Sequence, residues 1–420
     1  MLRIMKDKYI IGYYVISIFL IANGAFATSI FSTLHMPFWR QLIWIVGLII
    51  LISKKNDFKN KILNAFINEH KKCFYWTIFL TVITLLVYDF NLIRLGFSWW
   101  FYFSGIPYVL FPFILRHSGH SLKWISYLFL FLGLFMSFGI TLDYALGGFF
   151  TKMFILKQAP ELDLMIDTGR FCFLSEAPTT FGLYLSFCLS LTLYLFGKSN
   201  NFKEKALTFV SPLIFILGAW FTGSRQIVIA LLIIYITTIA YFLCIKTNKR
   251  SFIIFSFSII GVLGLNSIKN ILYKDESQQN RYSKDTLAED TRSKFWHEGF
   301  IYCVGELNIK RILLGEAVAL AQTHKALPNE ERGHNYENTF WFRMSETGIC
   351  GIYLLLLPII YYLKIRKKSD LNIILGMLFL AFIFISYISP NGQHQTSQMV
   401  IYIAIGLLID NNYYKTKHIM

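Results

Sequence analysis

At 420 residues the chain is long enough for two or three soluble domains, but it is 55% hydrophobic and only 15% charged, with a mean hydropathy of +0.51. Its apolar residues come in uncharged blocks of about 20, the length a helix needs to cross a hydrocarbon core of about 30 Å. That excludes a soluble architecture, and blocks that are continuous rather than alternating exclude a membrane barrel.

The blocks predict twelve membrane-spanning helices: 9–28, 38–53, 73–93, 98–116, 123–146, 171–196, 206–222, 226–245, 251–269, 339–363, 371–389 and 396–410. The expected fold is an all-α polytopic membrane protein. Residues 1–270 carry spans one to nine, 271–338 form one large, partly helical loop, and 339–420 carry the last three spans and a tail. Pro107 and Pro112 break the fourth span. Met1 to Lys8 and the apolar run behind them lack a small-residue cleavage site, so they read as a retained first span. Within the large loop, Lys294 to Leu314 has patchy helical periodicity through Phe295, Phe300, Ile301, Leu307, Ile312 and Leu313, and stops at Gly315.

The net charge of +16 invites nucleic acid as a partner. Its placement excludes that. About 23 basic residues fall on alternate connections, among them Lys54, Lys55, Lys71, Lys72, Arg116, Lys198, Lys203, Lys249, Arg250 and Lys364. The short connections between hold about five: Arg94, Lys152, Lys157, Arg170 and Arg225. Such asymmetry sets topology. It puts both termini in the cytoplasm and sends 147–170, 223–225, 270–338 and 390–395 to the other side. Cys73, Cys172, Cys188, Cys244 and Cys350 lie in or beside spans, with Cys303 alone in the loop, so neither a disulfide framework nor a zinc spacing is present.

Four groups of residues carry chemistry. Arg170 is expected to open the sixth span at its outer end, with Glu176 one or two turns deeper, where an ionised carboxylate needs a partner. An arginine that grips phosphate, held by a buried acid, is one reading; a snorkelling arginine beside a locally paired glutamate is the other. Arg225 sits in the tight hairpin Thr222-Gly223-Ser224-Arg225, which needs no cation for its own sake. In the large loop, Arg292 and Trp296 stand four apart on a predicted helix, able to stack on each other or on a sugar. His297-Glu298 opens like a zinc-protease helix but fails, because Ile301 stands where the second histidine belongs. Last comes Gly333-His334-Asn335-Tyr336-Glu337-Asn338, next to a span that contains Arg343, Glu346, Gly348 and Gly351. A histidine there can act as a base near neutral pH, and the glycine spacing suits close helix packing. No Asp-x-Asp, phosphate-binding loop or dinucleotide fingerprint is present, so a nucleotide donor is unsupported.

In span number, late outer loop and the order of these motifs, the chain resembles the O-antigen polymerase and O-antigen ligase superfamily of bacterial envelope glycan assembly. The residues that carry the resemblance are Gly169-Arg170 with Glu176, Gly223-Ser224-Arg225, Arg292 with Trp296, Leu314-Gly315, and Gly333-His334-Asn335 with Glu346-x-Gly348-x-x-Gly351. The family often has Glu-Pro where this chain has Glu176-Ala177-Pro178. The resemblance implies a glycosyltransferase of the bacterial inner membrane that needs neither metal nor cofactor. Its substrates are undecaprenyl-diphosphate-linked oligosaccharide and polysaccharide among the membrane lipids, with a polysaccharide chain-length regulator as an expected partner. In that chemistry Arg170 and Arg225, helped by Arg292 or Arg343, stabilise the departing diphosphate. His334 is the expected base, with Glu337 and Glu346 as alternatives, and Asn335, Trp296 and Glu176 support the site. A polymerase adding polymer to a new lipid-linked repeat unit is the first reading. A ligase acting on lipid A-core is the second, and a flippase for lipid-linked oligosaccharide is the rival from another class.

Overall fold

A computed structural model describes residues 7–87, 102–156, 169–176, 180–245, 297, 299–305, 309–315, 338–365, 369–388 and 394–417. Among these residues the chain is helical and holds no strand. The helices are α1 (Asp7–Ala22), α2 (Gly24–Thr33), α3 (Trp39–Lys54), α4 (Lys61–Val87), α5 (Phe111–His117), α6 (Leu122–Ala145), α7 (Phe181–Lys198), α8 (Phe202–Phe221), α9 (Arg225–Ile245), α10 (Ile309–Leu314), α11 (Thr339–Thr347), α12 (Ile349–Ile365), α13 (Asp370–Ile388) and α14 (Gln395–Lys417). Four of them, α6, α7, α8 and α13, are long and apolar enough to cross a membrane. The pair α1 and α2 passes the same test only across a bend of 102° at Asn23.

Helix α7 is the centre. It packs against α6, α8, α9, α13 and α14, and nearly every residue from Phe181 to Leu195 is buried. Its serine and threonine hydroxyls survive there because each donates to the carbonyl one turn back: Ser186 to Gly182, Ser190 to Ser186, and Thr192 to Cys188. Around it, α6 turns Phe131, Phe135 and Phe138 outward, the apolar face a lipid-facing helix presents.

One end of the bundle gathers the charges. Lys54 pairs with Asp7 at 3.2 Å, Arg116 with Asp410 at 2.8 Å, and Lys198 with Asp370 at 3.0 Å, while His117 meets Asp7 at 2.7 Å. These contacts bring the start of α1, the ends of α3, α5, α7 and α14, and the start of α13 to one level, which we term the basic end. The opposite end holds Asn23, the segment 169–176, the 222–224 turn and the start of α14. There the amides of Ala25 and Phe26 donate to Leu174 O at 3.1 and 3.2 Å, and Tyr144 stacks on Phe221 at 4.4 Å. Buried Asp143 fastens this end, accepting from the backbone amides of Phe150 at 2.8 Å and Phe173 at 3.1 Å.

Four predicted spans are cut differently. The block 73–93 belongs to a helix that starts at Lys61, because Asn60 accepts from the amides of Ile62 and Leu63 and caps it. Leu63, Phe66, Ile67 and His70 then bury one helical face, so the charged Glu69–Lys72 stretch rides on a helix and is not a connection. The block 9–28 breaks at Asn23, and 339–363 breaks at Gly348, whose φ of 62° ends α11. The expected sixth span begins only at Phe181. Gly169 at φ 66° and Phe173 at φ 53° keep the preceding residues out of a helix. Arg170 and Glu176 therefore lie in an irregular segment, not on the first turns of a span.

Candidate functional site

Polar side chains concentrate at the two helix breaks. At the first, Asn338 caps α11 by accepting from the amides of Phe340 and Trp341, and its own amide donates to Tyr387 O at 2.6 Å. This ties the start of α11 to the end of α13. One and two turns on, Arg343 and Glu346 are 2% and 1% exposed. Tyr102 joins them. Its hydroxyl donates to Glu346 Oε2 at 2.7 Å and accepts from Thr347 Oγ1 at 3.3 Å. The Arg343 guanidinium carbon lies 3.7 Å from the Tyr102 ring centroid, a cation–π contact inside the bundle.

The break itself is held by backbone packing. A Cβ on Gly348 would lie 2.5 Å from the carbonyl of Leu313, and one on Gly315 would lie 2.5 Å from the carbonyl carbon of Glu346. The short helix α10, from the segment expected to form the large loop, is thus wedged against the point where α11 gives way to α12. Gly351 faces the carbonyl oxygen of Arg343, where a Cβ would lie 2.6 Å away. Of the two glycines read as helix packing, Gly348 serves this wedge, while Gly351 lets the start of α12 lie close against α11.

Close by, His70 is buried between α4 and α14. Its Nδ1 lies 2.8 Å from Phe66 O and must donate, so Nε2 accepts from the Tyr402 hydroxyl at 2.6 Å. A Cβ on Gly105 would lie 2.4 Å from the Tyr402 ring, which presses the segment carrying Tyr102 against α14.

At the second break, Asn23 ends α1, and Gly24 starts α2 where a Cβ would lie 2.8 Å from Glu176 Cγ. Glu176 forms an ion pair with Arg40 and stands 3.6 Å from His394 Nε2. Arg40 is placed by its neighbour: Trp39 stacks on Phe31 at 5.3 Å and donates to Thr28 Oγ1 at 3.3 Å, fixing the start of α3 on α2. Thr396 donates to Ile21 O at 3.4 Å and brings α14 to the same corner. Burial, and the positive charge of Arg40, push the His394 imidazole down to about 3. Along α14 the two clusters are separated by the seven steps from Gln395 to Tyr402, about 10 Å of helical rise.

The predicted site residues divide accordingly. Arg343 and Glu346 come together. Glu176 is brought to Arg40 and His394 instead of holding Arg170, which lies in the 169–176 segment within electrostatic range of Cys172. Arg225 begins α9 after the turn at Gly223, whose φ is 64°; its side chain lies outside what is described. Arg292, Trp296, His334, Asn335 and Glu337 lie outside the described residues.

Sequence reasoning missed Arg40, His70, Tyr102, His394 and Tyr402. Of these, His70 had a signal in the 63, 66, 67, 70 periodicity, and Arg40 in being a cation at a span's less basic end. Chemically, the first cluster offers a permanent cation and a carboxylate shielded from water, and the second a neutral imidazole beside a compensated carboxylate. Among the described residues no group of three or more His, Cys, Asp or Glu side chains could hold a metal ion. No protein-family model matches the chain, and no curated protein matches it.

Proposed function

We propose that the protein is a membrane-embedded glycosyltransferase of envelope glycan assembly, an O-antigen polymerase that moves a growing glycan from undecaprenyl diphosphate onto the sugar hydroxyl of a lipid-linked repeat unit. The supporting observation is the buried Arg343–Tyr102–Glu346 cluster at a broken helix, on a stretch that the polar run 333–338 precedes in sequence. Ionisable groups at such depth are retained for function as a rule. A glycosyl diphosphate already carries a good leaving group, so what the reaction needs is a cation for the departing charge and a base for the acceptor hydroxyl. Arg343, with Arg170 and Arg225, fills the first role, and His334 fills the second. In this reading the basic end faces the cytoplasm of a bacterial inner membrane and the Asn23 end faces the periplasm.

One observation favours the flippase as a second reading: Arg343 sits inside the bundle, where a transport path would need a cation. Purified protein given lipid-linked repeat units decides between them. Lengthened products support the transferase, while translocation without lengthening defeats it. His334→Ala and Arg225→Ala should each abolish polymer with the protein still in the membrane, and normal ladders from both would overturn the site. Lipopolysaccharide from a deletion strain separates polymerase from ligase. One repeat unit remains on the core if polymerase is lost, and none if ligase is lost.

A further inference from the structure

The corner at Asn23 has a chemical character that the Arg343 cluster lacks. Asn23 and Gln395 are 0% and 2% exposed. Among the described residues, Asn23 Oδ1, Gln395 Nε2 and His394 Nδ1 are buried with no hydrogen-bond partner. A buried polar atom left so costs about 1–3 kcal/mol, and three at one corner mark a place that a polar ligand completes. The set is mixed: an amide oxygen that accepts, an amide nitrogen that donates, and a ring nitrogen that does either. Hydroxyl groups, which both donate and accept, match that mixture.

Charge favours a neutral ligand. Arg40 is paired with Glu176 and His394 is neutral at physiological pH, so these three side chains together bring no net positive charge to a phosphate. The Arg40 and Glu176 side chains are 17% and 26% exposed, so the corner opens on one side. Beside it, the turn after α2 exposes Leu34, Met36 and Phe38, an apolar rim suited to a ligand held in lipid.

We propose that this corner is a subsite for the neutral, hydroxyl-rich sugar of a membrane-anchored acceptor, with Asn23, His394 and Gln395 as its hydrogen-bonding residues, separate from the Arg343 cluster. The assignment of that sugar as the acceptor rests on the transferase reading above; the binding itself does not. The test uses the full-length protein in lipid nanodiscs. The probe is the free repeat-unit oligosaccharide, released by mild acid from the lipid carrier of the source cells and titrated by calorimetry. Wild type should bind it, and Gln395→Met should weaken binding roughly tenfold, the loss of one to two hydrogen bonds. His394→Asn, which keeps a polar residue ahead of α14, should weaken it as well. In turnover assays Gln395→Met should raise the acceptor KM by the same factor and leave the donor KM alone. Wild type that binds the sugar but transfers none would sink the transferase and keep the subsite. Wild type that transfers normally, with both variants binding the sugar as tightly as wild type, would overturn the subsite and leave those atoms to an enclosed water only.

Discussion

Removing one oxygen atom from Tyr102 tests whether the buried cluster is ionic. Tyr102→Phe keeps the ring beneath Arg343, 3.7 Å from the guanidinium carbon, and deletes the hydroxyl that donates to Glu346 at 2.7 Å. A hydrogen bond between neutral groups within a membrane protein contributes on average about 0.6 kcal/mol, whereas one to a charged group contributes about 1.5–3 kcal/mol. Arg343 stays protonated under all ordinary conditions, and Glu346 stands one turn away on the same face of α11. The carboxyl group is therefore read as ionised, and the expected loss is in the higher range. Tyr102→Leu removes the cation–π contact as well, a further loss of about 2 kcal/mol at a desolvated site. Unfolding in mixed micelles by increasing SDS, followed by circular dichroism, gives both numbers. In a Glu346→Gln background the Phe substitution should cost much less, and that coupling isolates the pair. A loss near 0.6 kcal/mol for Tyr102→Phe, unchanged by Glu346→Gln, would refute the charged cluster.

Two other outcomes follow from geometry already described. Gly348→Ala places a side chain at φ 62° and 2.5 Å from the Leu313 carbonyl; the conformation alone costs about 1–3 kcal/mol. The variant should lower the thermal midpoint and loosen α10, seen as faster proteolysis near residue 315, and an unchanged midpoint would count against the wedge. His394 is held far below its ordinary value of 6.5, so the unfolded chain takes up this proton first as pH falls. Above 6.5 the histidine adds no pH dependence, and between 6.5 and about 3 it makes the fold progressively less stable. His394→Gln should flatten that decline, and an identical acid profile would show that the imidazole is not desolvated.

The helical, membrane-crossing character of the chain was legible because uncharged blocks of fixed length have few other uses. The cations of the basic-end ion pairs, Lys54, Arg116 and Lys198, come from connections whose charge count marked them as basic in the sequence. What escaped was everything decided between distant segments. Tyr102 looked like one aromatic among many in an apolar run, and only its meeting with Glu346, 244 positions away, makes it polar in function. Arg40 was masked by the apolar block around it, although Glu176 was recognised as needing a partner. Helix breaks were harder still. Asn23-Gly24 and Gly348 fall inside blocks whose average character is apolar, and averaging over a span-length window erases a single residue that stops a helix. His70 was hidden by adjacent lysines that suggested a solvated connection, even though the apolar residues every three or four positions ran through it.

The position of α7 in the chain has a consequence for synthesis. Its covering helices α13 and α14 lie at the far end, with about 200 residues to be made between Lys198 and Gln395. At 5–20 residues per second the ribosome needs about 10–40 s for that stretch. During the interval the future core helix must rest partly against acyl chains. Its serine and threonine hydroxyls, each already satisfied by a carbonyl of its own helix, make that wait tolerable. A nascent intermediate can thus sit in the bilayer with its serine and threonine hydroxyls satisfied before its neighbours arrive.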